Sequence, residues 1–192
     1  MLPKDRSIWF AILPSHPCEP MPTPFALDLS PEGISLFERR QGAWVRRGKA
    51  VINPDDPGAA LAYLHGLTGV RRPRCKLVLP ADQVRFERLA LPAGTRTVPE
   101  AWLATALDGR TPYPPEALAF DWLHEGEMAF VAIVARVSLE EAEQFVQAGG
   151  FVPEGAVIGW QAGPWPGLAG EAWFGDAAGR LPRPDRLRAV PA

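Results

Sequence analysis

The sequence predicts a mixed α/β (α+β) fold made of two successive β/α units. Residues 25–80 read as β-β-β-α-β and residues 84–149 as β-α-β-β-α. Three observations carry this reading. Three short alternating segments follow one another across tight turns between Phe25 and Val51. Two apolar stripes at helical spacing are each introduced by a capping signal and followed by a strand. Between Leu107 and Trp122, a rigid proline corner (Leu-Asp-Gly-Arg-Thr-Pro-Tyr-Pro-Pro-Glu-Ala-Leu-Ala-Phe-Asp-Trp) separates a helix from a strand.

The elements follow in order. Phe25–Leu29 alternates, Ser30-Pro31-Glu32-Gly33 is a tight turn, and Ile34–Glu38 is the second strand. Arg40-Gln41-Gly42 signals another turn and Ala43–Val51 a third strand, so the three form an antiparallel meander. Asp56 is suited to cap a helix and Pro57 to its first position, where the missing amide hydrogen costs nothing. Ala60, Leu61, Leu64 and Leu67 give its buried stripe, and Gly66 or Gly69 ends it. Cys75–Leu79 is a fourth strand, closed by Pro80. A strand reached through a helix runs parallel to its sheet neighbour in most folds.

The second unit opens with the alternating segment Val84–Leu91. Thr97-Val-Pro-Glu100 has the form of a capping box before a helix whose buried side is Val98, Trp102, Leu103, Ala106 and Leu107. Pro112, Pro114 and Pro115 then forbid both helix and sheet ladder, because they lack amide donors and fix φ. Leu118–His124 is a strand, Gly126 marks a hairpin turn, and Met128–Val137 is a long apolar strand. Ser138-Leu-Glu-Glu141 has the form of a second capping box, opening a helix with Leu139, Ala142, Phe145 and Val146 that ends at Gly149-Gly150. Phe151–Trp160 is read as one further strand.

The two ends of the chain look different. Residues 1–24 carry Pro14, Pro17, Pro20, Pro22 and Pro24 and read as a proline-rich tail. Residues 176–192 hold Arg180, Arg183, Arg186 and Arg188 and read as a basic tail, either simply solvated or set near an acidic lipid surface. No run approaches the ~18 apolar residues of a membrane span. The apolar run Ile8–Leu13 is stopped by Pro14 and is too short for a secretory signal.

A net charge of −2 does not suggest a nucleic-acid binder. Its distribution is uneven, however. Between Ile34 and Lys76 there are nine Lys/Arg against three acids; between Thr97 and Glu143 there are two Arg against nine acids. That asymmetry reads either as two faces or subdomains with different neighbours or as ordinary solvated surface. Cys18 and Cys75 are far apart and lack a CxxC partner, which fits a reduced compartment. His16, His65 and His124 are isolated in sequence, so no metal site is expected, and no cofactor either.

Few residues suggest chemistry. Asp28 ends the first strand, where actin-like ATPases and RNase H-like nucleases place a metal- or nucleotide-holding carboxylate. The following turn is Ser30-Pro31-Glu32. A phosphate turn relies on glycine so that backbone amides can reach the phosphate. Pro31 removes an amide and Glu32 adds a repelling charge, so Asp28 and Ser30 mark a degenerate nucleotide position. Two-metal nuclease chemistry needs several converging carboxylates, and the spacing of Asp28, Asp121 and Asp176 does not supply them. No Walker loop, GxSxG elbow or HExxH helix occurs. Asp121 faces away from Phe120 and Trp122 and is expected to make a surface hydrogen bond. Tyr113, held between two prolines, is either a packed anchor or a rigid contact for a partner.

Several of these stretches together resemble a known family. Leu79-Pro-Ala-Asp-Gln-Val84, Leu89-Ala-Leu-Pro92, Ala106-Leu-Asp-Gly-Arg-Thr-Pro-Tyr-Pro114 and Phe120-Asp-Trp122 resemble the actin-like proteins of type II secretion and type IV pilus assembly platforms. These are the GspL cytoplasmic domain and PilM, with fused PilN-like forms. The resemblance covers roughly residues 25–150, and the Thr-Pro-Tyr corner is its most specific part.

It implies an RNase H-like/actin-like subdomain over 25–80 and 151–175, interrupted by an inserted module over 81–150, in a form truncated relative to full actin-like proteins. It implies a non-enzymatic scaffold, cytoplasmic at the inner membrane, with peripheral or tethered membrane contact. The partners it implies are a PilN-like or GspM-like membrane protein, a secretion ATPase, and a second copy of the chain. Thr111, Tyr113 and Asp121 are the candidate partner-binding residues. The alternatives are an actin-like ATPase using Asp28 and an RNase H-like metal-dependent nuclease.

Overall fold

The computed structural model describes residues 24–95, 98, 100–158 and 173–174. It contains a six-stranded and a three-stranded sheet. Strands β1 (Phe25–Ser30), β2 (Gly33–Arg40) and β3 (Ala43–Ala50) form the expected meander. Helix α1 (Pro57–Thr68) leads to β4 (Arg74–Leu79), which pairs in parallel with β1. The Asp56 carboxylate accepts from the Ala59 amide at 3.2 Å, with Pro57 next, and Gly69 closes the helix in the left-handed conformation. A cap of this kind stabilises a helix by about 1 kcal/mol.

The smaller sheet comprises β5 (Arg85–Ala90), β6 (Leu118–Glu125) and β7 (Met128–Ala135), in the order β5-β7-β6. Helix α2 (Glu100–Leu107) lies between β5 and β6 in sequence. The alternation of β6 and β7 divides this sheet into two faces. Leu118, Ala129, Val131 and Ile133 pack with Leu103 and Leu107 of α2, and Phe120 and Trp122 lie against them. Ala119, Ala132 and Val134, on the other face, join the core of the larger sheet.

Helix α3 (Arg136–Ala148) and strand β8 (Val152–Ile158) return the chain to the larger sheet, where β8 runs parallel to β4. A two-residue strand, β9 (Trp173–Phe174), pairs antiparallel with β8 and completes the order β3-β2-β1-β4-β8-β9. One face of this sheet buries Leu27, Leu36, Leu77 and Ala156 against Leu61 and Leu64 of α1 and Leu139 and Val146 of α3. At the end of α3, an added Cβ on Gly149 would lie 2.5 Å from Leu61 Cβ, so α1 and α3 approach closely here.

Four expectations differ from the structure. The long strand stops at Ala135, and α3 begins at Arg136, so Ser138 and Glu141 lie inside the helix rather than forming a capping box. The helix is preceded by Ala135 with no side-chain cap. The reason is register: Ala135 pairs with Leu118, the first residue of β6, and beyond it no partner strand remains. Arg136 turns away instead, its Nε donating to the Glu116 carbonyl at 3.1 Å. Secondly, the proline corner is not wholly irregular. Pro115–Ala117 form one 3-10 turn, closed by the Ala117 amide donating to the Pro114 carbonyl at 2.9 Å. Thirdly, Asp121 is buried rather than at the surface. Fourthly, β9 has no counterpart in the sequence reading. Thr97 of the first capping box, both tails, Cys18, His16 and Asp176 lie outside the described residues.

Candidate functional site

Strands β1 and β4 run in parallel and end side by side. Carboxyl ends of parallel strands are where open α/β sheets bind ligands, because the connections diverge there and leave a crevice. A cleft of about 340 Å³ opens at that place. Leu29, Ser30 and Pro31 form one wall, Leu79, Pro80, Asp82 and Gln83 a second, and Ser138, Glu141, Ala142 and Phe145 of α3 a third. Its floor is apolar, and Asp82 and Glu141 supply carboxylates; no Lys or Arg is among its described lining residues.

The turn beside this cleft is closed on itself. The Ser30 hydroxyl donates to the Gly33 carbonyl at 2.9 Å. Glu32 is paired with Lys49 at 3.4 Å. Gly33 takes φ of 126°, and an added Cβ would lie 2.4 Å from the Ala50 carbonyl oxygen, so only glycine allows β1 and β2 to fold back against the end of β3. The turn presents Pro31, without an amide hydrogen, and an acid. Such a lining opposes a polyphosphate and favours an apolar or basic segment.

Asp28 does not line the cleft. It alternates with Leu29 and sits between Ser35 of β2 and Val78 of β4, on the opposite sheet face. Burial raises its carboxyl above the ordinary range, and the Lys49 ammonium partly opposes that shift. The same face holds Ala26, Trp44 and Lys76, all buried, with the Lys76 Nζ 4.8 Å from the centre of the Trp44 ring. Of the two residues at the expected nucleotide position, Ser30 reaches the cleft and Asp28 does not.

The three candidate partner residues belong to the smaller sheet and its entry corner. Thr111 Oγ1 donates to the Tyr113 carbonyl at 2.7 Å and accepts from the Tyr113 amide at 3.3 Å. This fixes the corner and leaves Tyr113 45% exposed. Asp121 pairs with Ala132 on the inner face, and its Oδ1 accepts from the Trp122 amide at 2.9 Å. None of the three lines the cleft.

Of the cleft residues of α3, Ala142 and Phe145 were legible only as part of a buried stripe, and Ser138 and Glu141 only as a capping box. Leu139 and Val146 are buried as that stripe requires, whereas Ala142 and Phe145 are half-buried and open onto the cleft. Among the described residues no group of three or more His, Cys, Asp or Glu is placed to hold a metal. Cys75 is buried in the core, and burial pushes its thiol far up, which makes it unreactive.

No family model matches the chain. No curated protein matches it either. Among solved structures, the cytoplasmic domain of EpsL, an inner membrane component of the type II secretion system of Vibrio cholerae, is similar at a TM-score of 0.57 and 19% identity. The alignment covers 74% of this chain and 59% of that one. A PilM-PilN type IV pilus biogenesis complex is similar at a TM-score of 0.52 and 18% identity, over 68% of this chain and 46% of that one. The chain therefore spans about half the length of the structures it matches. At this level of identity the likeness is one of fold: the chain shares its mixed α/β architecture with the EpsL cytoplasmic domain and the PilM-PilN complex.

Proposed function

We propose that this chain is a non-enzymatic scaffold of a bacterial inner-membrane assembly platform, of the secretion or pilus kind. The observation that carries this reading is a fold like that of the EpsL cytoplasmic domain with a strand-end cleft that is apolar and acid-rimmed, with no Lys or Arg among its described lining residues. The cleft and the corner at Tyr113 are the surfaces offered to partners: a PilN-like or GspM-like membrane protein, and a secretion ATPase. The chain divides into an actin-like part (25–80 with 151–175) and an inserted module (81–150), and it works on the cytoplasmic side of the inner membrane. Among the described residues no helix is long and apolar enough to cross a membrane.

Two experiments test this together. Isothermal calorimetry with Mg-ATP should give no binding heat; micromolar binding lost in Asp28→Ala would replace the scaffold by the ATPase reading. Capture of a PilN-like partner from the same cell should be lost when Ala142→Trp fills the cleft and weakened by Tyr113→Ala. Capture unchanged by both variants would sink the assignment of these surfaces.

A further inference from the structure

The charge asymmetry of the sequence becomes spatial in the fold, and it marks one end of the larger sheet. β1, β4 and β8 are parallel, so their first residues share an end, and the β2–β3 turn lies there too. The hairpin brings Arg39, Arg40, Arg46 and Arg47 to this end, the segment before β4 brings Arg71 and Arg72, and Arg74 opens β4 itself. Against these seven stand Glu38 and Glu154. Glu38 is shared by Arg40 at 2.9 Å and Arg47 at 3.3 Å, and Glu154 pairs with Arg74. Among the described residues Arg46, Arg71 and Arg72 are exposed and have no ion-pair partner.

Two exposed apolar side chains sit among these cations. Val45 precedes Arg46 and is 37% exposed; Val70 precedes Arg71 and is 45% exposed. Arg71 and Arg72 border an open hollow of about 490 Å³ with Gln147, Gly150 and Phe151, which taken alone would suit a compact anion. Arg46 lies outside it, and the set as a whole is spread over a hairpin and the starts of two strands, with apolar residues interleaved. That combination matches the boundary between lipid headgroups and acyl chains, where charge attraction and shallow apolar burial act together.

We infer that this arginine-rich end of the six-stranded sheet docks on an anionic lipid surface, so that the acid-rimmed cleft at the opposite end faces away from the membrane. The inference deepens the membrane placement of the scaffold reading by naming the surface that makes contact, and it does not depend on any protein partner.

Co-sedimentation of the full chain with vesicles tests it. Binding is expected to vesicles of phosphatidylglycerol mixed with phosphatidylcholine and not to phosphatidylcholine alone, and it should weaken as salt is raised. R46Q/R71Q/R72Q, with both tails intact, should lower partitioning on the order of 100-fold, since each such charge near the surface contributes about 1 kcal/mol. R46E/R71E/R72E should lower it further, and circular dichroism should show both variants folded. D55N, at the opposite end of the sheet and outside the cleft, should bind vesicles as the unmodified chain does. No partner capture by the unmodified chain, with this vesicle binding intact, would count against the scaffold reading alone. Three results would overturn the inference: equal binding to neutral vesicles, undiminished binding by the charge-reversed variant, or tight binding of poly-glutamate with no binding to anionic vesicles.

Discussion

The two hairpin turns of the meander lie at opposite ends of the same sheet and are built on different principles. The β1–β2 turn, Pro31-Glu32, is compressed: Gly33 stands against the Ala50 carbonyl, and the Ser30 hydroxyl is spent closing the turn. The β2–β3 turn, Gln41-Gly42, is open. Both residues have positive φ, 49° and 79°, which matches the right-handed twist of the strands, and nothing lies within 4 Å of an added Cβ on Gly42. The compressed turn borders an acid-rimmed cleft; the open turn sits among arginines. A turn packed against its neighbours shapes a site, while one that touches nothing only sets strand register and leaves its side chains free for electrostatics.

That contrast can be broken by substitution. Gly33→Ala should have the largest effect. It adds roughly 1–3 kcal/mol of backbone strain and roughly 1–3 kcal/mol of overlap with main-chain atoms that cannot step aside. Urea denaturation should show the loss; a change below about 1 kcal/mol would mean the turn is not compressed. Gly149→Ala comes next. Its methyl would meet Leu61 Cβ at 2.5 Å and press α3 off α1, for roughly 1–3 kcal/mol. Gly42→Ala should cost only about 1 kcal/mol, because the left-handed backbone is its one penalty. If Gly42→Ala proves as damaging as Gly33→Ala, the two turns are not different in kind.

Asp28 gives the smallest effect, and it depends on pH. Burial raises its carboxyl above the ordinary 3.8, so the folded chain holds the proton more tightly than the unfolded one. The stability linked to this group is therefore complete below pH 3.8 and is lost as pH rises through the raised value. Asp28→Asn should be at least as stable as the unmodified chain at pH 7, with the difference closing toward pH 4 in denaturant titrations. An unmodified chain more stable than the variant at neutral pH would show that the ionised carboxylate has a partner that outweighs its burial.

How far the sequence reached can be judged from particular residues. Asp56-Pro57 and Gly69 bounded α1 because capping and left-handed backbone are local properties. The meander was legible because alternation and turn residues act over a few positions. Ser138-Leu-Glu-Glu141 misled for the same reason: it has the local form of a cap, but strand pairing, which ends at Leu118–Ala135, decides where the helix starts. Asp121 misled because alternation gives the face of a strand and not what covers that face.

The amino-acid order alone determined the succession of elements, the degenerate turn at Ser30-Pro31-Glu32 and the uneven placement of charge. These rest on backbone preference and composition, which need no distant partner. Only the tertiary structure decided that Ser30 enters the cleft while Asp28 turns to the other sheet face. The same holds for α3, which closes the core of the larger sheet, and for arginines some 30 positions apart that share one end of it. Parallel pairing of β1, β4 and β8 made these choices, because it aligns strand ends that the sequence keeps far apart.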